Sequence, residues 1–251
     1  MQNHLWAFVQ QAVEAFELRG PIYDFGPCGG ARPTIPPWRP LFLGQQYVTC
    51  GTRLGTEIDR LVDPTRLAIC DGAARTVIGI GLLERIFEPQ RAVEELTRVL
   101  APGGVMLLAA TCDEEVGDEP GAYWHLTPSC LGRLLTPLDA TLVGWQGAKG
   151  SPRMVFGVGC KAPLASGISE SIARFIEGYQ LWVATAGRST PWLKKMMAAA
   201  ARWFNLRRWS RSGHEFGQVH FAFDLPFDGN WKSDLLSTNG KINTFARLDL
   251  G

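Results

Sequence analysis

With 251 residues, the chain is long enough for one full α/β domain and a smaller appendage. Its 46% hydrophobic and 20% charged composition is that of an ordinary globular protein, and a net charge of +1 excludes a global pull toward nucleic acid or membranes. No apolar run reaches the ~20 residues of a membrane span, the start lacks a signal peptide's basic and apolar regions, and the six cysteines make no CxxC pair; the expectation is a reduced, cytoplasmic protein.

In chain order, Leu5, Phe8, Val9, Ala12, Val13 and Phe16 share one face of a helix over 4–18, stopped by Gly20-Pro21. A short apolar run, 21–25, breaks into Gly26-Pro27-Cys28-Gly29-Gly30, and the proline-rich stretch 33–40 reads as a surface excursion. Strands are expected at 47–50, more weakly at 61–62, then at 76–80 and 105–110, with a helix over 88–100 between the last two. Strands alternating with helices predict a parallel, doubly wound sheet. A helix at 129–135 and two strand-like runs, 140–145 and 154–160, come after; such an antiparallel pair can close the sheet's edge. The character changes around 162–167. Helical stretches 168–184 and 191–208 come next, then alternation over 220–225 and the tight-turn dipeptides Asp228-Gly229 and Asn239-Gly240, which predict β-hairpins in the last 38 residues.

An acidic residue that ends a strand and leads into glycines suits a ligand pocket, because glycine lets backbone approach a ligand closely. Asp24 to Gly30 has that form. The same form also occurs in loops that bind nothing. The segments downstream of it form a more specific series: Asp71-Gly72 before the strand at 76–80, then Leu83-Glu84-Arg85-Ile86-Phe87-Glu88-Pro89, then Arg98-Val99-Leu100-Ala101-Pro102-Gly103-Gly104, then Tyr123-Trp124-His125-Leu126-Thr127-Pro128. This series resembles the class I S-adenosylmethionine (SAM)-dependent methyltransferase family, in the type 11-like branch, over residues 1–163.

The resemblance implies a Rossmann-like, mostly parallel sheet with a C-terminal α+β extension over 164–251, and a SAM site at the carboxyl ends of the strands. Matched residue by residue, Asp24, Gly26, Pro27 and Gly29 fall at the methionine-binding turn, Asp63 at the acid that approaches the adenine amine, and Gly79, Ile80 and Gly81 at the backbone beneath the sulfonium. Asp63 reads equally well as a turn cap. Two departures stand out. The family's second strand ends in an acid that accepts from both ribose hydroxyls, and here Gly51 stands there, with Thr52 or Glu57 left to compensate. Arg75 and Arg85 replace the acid before the fourth strand and the histidine of the family's LEH step.

Methyl transfer rests largely on positioning a nucleophile in line with the methyl group, aided by a base when that nucleophile is a hydroxyl or amine. His125 lies where the family forms its acceptor pocket and is the candidate base; the alternative is that it replaces a structural arginine. The acidic loop 113–119 has no ordered ligand spacing, so no metal is expected. Farther on, Lys194, Lys195, Arg207 and Arg208 belong to a basic, tryptophan-bearing amphipathic stretch that suits an anionic surface or acidic acceptor, or is simply solvated. Nucleic-acid binding is not expected. Two readings result. One is a SAM-dependent methyltransferase for a small or glycan/lipid-linked acceptor, cytoplasmic or peripheral at a membrane. The other is a lapsed pseudo-methyltransferase serving as scaffold. The extension shapes the acceptor site or joins a second copy.

Overall fold

The computed structural model describes residues 2–26, 36–53, 57–112, 122–148, 151–186 and 219–224. Eight strands form one sheet: β1 (Ile22–Asp24), β2 (Tyr47–Gly51), β3 (Arg60–Leu61), β4 (Ala74–Ile80), β5 (Leu100–Thr111), β6 (Ala140–Ala148), β7 (Ser151–Cys160) and β8 (Val219–Asp224). Their spatial order is β3-β2-β1-β4-β5-β7-β6-β8. Pairings from β3 through β5 are parallel, and those from β5 through β8 are antiparallel. This is the expected Rossmann-like, doubly wound architecture; the antiparallel pair β6 and β7 extends it beyond β5, and β8 rather than that pair forms the edge.

The helices α1 (Gln2–Phe16), α2 (Pro89–Val99), α3 (Pro128–Leu134) and α4 (Ile168–Ala186) cover both faces. Alternation along each buried strand divides the core. Ile22, Ile78, Leu107, Leu142 and Phe156 face α1 and α4, whereas Tyr23, Val77, Met106, Leu108, Val143 and Val155 face α2 and α3. A strand buried on both faces needs apolar residues at consecutive positions, and β4 has them in Val77 and Ile78. The amphipathic period of α2 buries Ala92, Val93, Leu96 and Val99.

The connection from β3 to β4 carries no α-helix. Residues 62–73 are held to α2 by Arg98, whose guanidinium donates to the carbonyls of Ile69 and Leu67, each at 2.9 Å. Glu95 completes the clamp by accepting from the Leu67 amide at 2.7 Å and pairing with Arg98 at 2.8 Å. The arginine of the motif at 98–104 is therefore a fold determinant. The connection from β1 to β2 corrects the surface excursion expected over 33–40 where it is described, from residue 36 onward. There, Trp38 and Phe42 are buried against the α1 face around a 3-10 turn (Arg39–Phe42), because a chain that crosses the sheet's face must cover its apolar side chains.

The apolar stripe of α4 (Ile172, Phe175, Ile176, Tyr179, Val183) packs against α1 and the sheet, sharing one cluster with Phe8, Phe156 and Phe221. The alternation at 219–224 does not form an isolated hairpin. It adds β8 to the sheet beside β6, with Gly144 opposite Phe221. Residues 225–251, where further hairpins were expected, lie outside the described residues.

Gly144 gives this packing a direct test. A Cβ there would stand 2.3 Å from two Phe156 ring carbons. The ring is itself packed by Phe8 and Tyr179, each with a centroid 5.0 Å away. Overpacking of this kind costs about 1–3 kcal/mol. Gly144→Ala should therefore lower the urea-unfolding free energy by about 2 kcal/mol, and Phe156→Leu in the same chain should restore part of it; additive effects would mean that the two do not meet.

Candidate functional site

In an open α/β sheet, ligands settle beyond the carboxyl ends of strands where the winding reverses. Here the chain winds one way through β1, β2 and β3 and the other way through β4 and β5, so the switch point lies between β1 and β4. Registers place Asp24 beside Thr49 of β2 and Ile78 of β4. Counting two residues onward puts Gly26, Gly51 and Ile80 at one level on the carboxyl rim. The structure therefore brings Asp24, Gly26, Gly51, Thr52, Ile80 and Gly81 to one edge, with Asp63 just beyond the end of β3. Pro27 and Gly29 lie outside the described residues, as do Lys194, Lys195, Arg207, Arg208 and the acidic loop 113–119.

Asp24 is the most unusual residue at the rim. Its side chain is fully buried, and Oδ2 accepts hydrogen bonds from Trp38 Nε1 at 2.9 Å and from the Tyr47 hydroxyl. Burial pushes its pKa up to about 6, against the opposing pull of those donors and of Arg39. Its other oxygen, Oδ1, is buried with no hydrogen-bond partner among the described residues. Beside it, a Cβ at Gly26 would stand 3.8 Å from Oδ1, in ordinary contact, so the glycine borders that oxygen directly. The Thr49 hydroxyl on the neighbouring strand is likewise buried without a partner. Unmet polar atoms of this kind each cost about 1–3 kcal/mol, which favours a ligand that satisfies them.

At the next strand the fit is poorer. A Cβ at Gly51 would lie 2.8 Å from Ile58 Cδ1 and 3.1 Å from Cγ1, so an isoleucine covers the place of the family's ribose-binding acid. Thr52 is exposed. Asp63 is exposed, and its Oδ1 accepts from the Thr65 amide at 2.9 Å and hydroxyl at 2.7 Å, an arrangement that closes a local turn and lowers its pKa.

Past the switch point, Ile80 is buried and Gly81 adopts φ +71, a left-handed turn by which the chain leaves β4. The Gly81 amide donates to the Ala109 carbonyl at 2.9 Å. Glu84, buried in the 3-10 turn Leu83–Arg85, joins three segments: its carboxylate accepts from the Thr111 amide at 3.3 Å, and its carbonyl accepts from the amides of Tyr123 at 2.6 Å and Trp124 at 3.2 Å. The segment containing His125 is thereby seated beside the exit of β4, and His125 is exposed there. Sequence reasoning missed Trp38, Tyr47, Ile58 and Glu84 as parts of this edge; only Glu84, inside a matched motif, carried a signal.

Elsewhere, a hollow of about 190 Å³ at the amino edge, lined by Glu17, Arg19, Arg75 and Gly103 among others, shares no residue with the rim. Among the described residues no cluster of His, Cys, Asp or Glu could hold a metal, and no helix is long and apolar enough to cross a membrane.

No family model matches the chain, and no curated protein matches it. Solved structures do resemble it. A SAM-dependent methyltransferase of Thermotoga maritima has a TM-score of 0.44 at 14% identity, over 63% of this chain and 90% of the other. The 1,6-didemethyltoxoflavin-N1-methyltransferase of Burkholderia thailandensis, bound to S-adenosylhomocysteine, has a TM-score of 0.46 at 14% identity, over 62% of this chain and 78% of its own. The [4+2]-cyclase SpnF has a TM-score of 0.41 at 17% identity, over 84% and 76% of the two chains.

Proposed function

We propose that the protein is a SAM-dependent methyltransferase acting on a small or glycan/lipid-linked acceptor. The observation that carries this reading is the buried, half-satisfied carboxyl of Asp24 beside Gly26 at the switch point. A carboxylate kept out of water needs a cationic partner, and the ammonium of SAM's methionine end meets that need at Oδ1. Trp38 and Tyr47 fix the carboxyl group so that Oδ1 remains free to accept. Ile80 and Gly81 would hold the reacting end, Thr52 and Asp63 would meet the ribose and adenine, and His125 would take a proton from the acceptor. When bound, SAM supplies an electrophilic methyl group on a sulfonium.

One observation favours a second reading. Ile58 occupies the space that a ribose-binding acid would fill, as in a scaffold whose cofactor site has lapsed. Calorimetry with SAM and S-adenosylhomocysteine separates the two. The enzyme reading expects micromolar affinity, about −8 kcal/mol, for at least one of them. Folded protein that takes up neither at millimolar concentration leaves the scaffold. In either case Lys194, Lys195, Arg207 and Arg208 are the residues we assign to an anionic surface or acidic acceptor, and the C-terminal part to acceptor binding or self-association in a cytoplasmic or membrane-peripheral protein.

A further inference from the structure

Phe87, Tyr123 and Trp124 are three of the six large apolar side chains exposed among the described residues, and ring contacts join them. They are 69%, 54% and 41% exposed, yet they touch: the Phe87 ring lies edge-on to Tyr123 at 5.7 Å and tilted to Trp124 at 6.2 Å. The group presents on the order of 300 Å² of aromatic surface, the size at which an exposed patch marks a binding site. Its position is built rather than incidental. The Trp124 indole donates to the Ile86 carbonyl at 2.9 Å, and the Tyr123 and Trp124 amides bond to Glu84, three residues past Gly81. With the indole N–H satisfied internally, Trp124 offers ring surface.

We propose that this trio is the acceptor platform and that the acceptor is a small molecule carrying a phenol ring. This rests on the methyltransferase reading and narrows its acceptor. Ring faces stack on ring faces with offset or edge geometry, and three adjacent aromatic rings reward a planar partner over a saturated one. The group next along the chain is the exposed imidazole of His125. A phenol ionises near pH ~10, within reach of an imidazole acting as base, whereas an aliphatic or sugar hydroxyl gives up its proton far less readily. The proton passes from the phenol hydroxyl to the imidazole, leaving a phenolate as nucleophile and an imidazolium.

The test is saturation-transfer NMR on the full chain, with and without S-adenosylhomocysteine, using p-cresol, 4-methylcyclohexanol and methyl β-glucopyranoside as probes. p-Cresol should bind at least fivefold more tightly than either saturated probe. Phe87→Ala and Tyr123→Ala, both at surface positions, should each weaken it about fivefold at unchanged thermal stability, and Leu181→Ala, on an exposed residue of α4, should not. Equal binding of p-cresol and 4-methylcyclohexanol, preference for the glucoside, or indifference to both substitutions overturns the proposal. If p-cresol binds as expected but S-adenosylhomocysteine does not, the platform stands and the methyltransferase reading falls; the opposite pattern removes the platform alone.

Discussion

Replacing Asp24 with Asn should make the protein relatively more stable as pH rises, while weakening SAM binding ten- to a hundredfold. The carboxyl has a pKa of about 6 in the folded protein against 3.8 for an unperturbed aspartate, because it is buried. A raised folded pKa means that the neutral acid's contribution is complete below pH 3.8 and is lost as pH rises through 6. Over that window the native state carries an increasingly costly buried charge, worth about 3 kcal/mol for a carboxyl raised this far. An amide carries none. The difference in urea-unfolding free energy, variant minus wild type, should thus grow by about 3 kcal/mol between pH 4 and pH 7.

The difference is the quantity to measure, because His4 works in the opposite sense. Burial lowers its pKa from 6.5 to about 4, so stability falls as pH drops through that range. His4 is common to both proteins and cancels. A ligand ammonium at Oδ1 would stabilise the ionised form, so wild-type affinity for SAM should drop about tenfold per pH unit below 6. In the Asp24→Asn protein the pH dependence should vanish along with a charge-assisted hydrogen bond worth about 1.5–3 kcal/mol. A flat stability difference would show that Asp24 is not a buried charge. Unchanged affinity would place the methionine end of the cofactor elsewhere.

The same residue shows how far the sequence could be read. That Asp24 ends a strand at a glycine turn is a local pattern, and the structure has it there. That Trp38 and Tyr47 hold its carboxyl is not local: these partners lie 14 and 23 residues away, Trp38 on a connection whose prolines suggested an excursion over the surface and Tyr47 at the start of β2. Local patterning, periodic or continuously apolar, located the described α-helices and strands but not the 3-10 turn Arg39–Phe42, since such patterns are properties of short windows. It did not say that the strand at 219–224 would pair with β6, some 75 residues earlier, because an edge strand's partner is chosen by tertiary packing. Nor did it show that Ile58 would lie over Gly51, seven residues before it. The matched Arg98 likewise binds the carbonyls that organise a helix-free connection, a structural duty and not a catalytic one.

Gly51 separates the enzyme from the scaffold, and the structure changes how it should be tested. Gly51 is not among the residues with positive φ, so an aspartate there meets no backbone strain of the kind that only glycine relieves. The obstacle is the side chain of Ile58, 2.8 Å from where the new Cβ would be. Gly51→Asp alone should therefore destabilise by about 1–3 kcal/mol, and it should bind SAM no better, because the carboxylate is turned away by the isoleucine. Ile58→Ala alone should cost about 1–2 kcal/mol, since Ile58 is only half-buried. Combined, the two changes should be less destabilising than their sum, because each relieves the other's fault. The double variant should bind SAM roughly ten- to a hundredfold more tightly than wild type, the yield of a charged acceptor restored to two ribose hydroxyls. Calorimetry on all four proteins, at about pH 7.5 so that Asp24 is ionised, closes the cycle. Coupling in stability without any gain in affinity would mean that Ile58 and Gly51 meet as the structure has them but that no ribose lies against β2, and the scaffold reading would then hold.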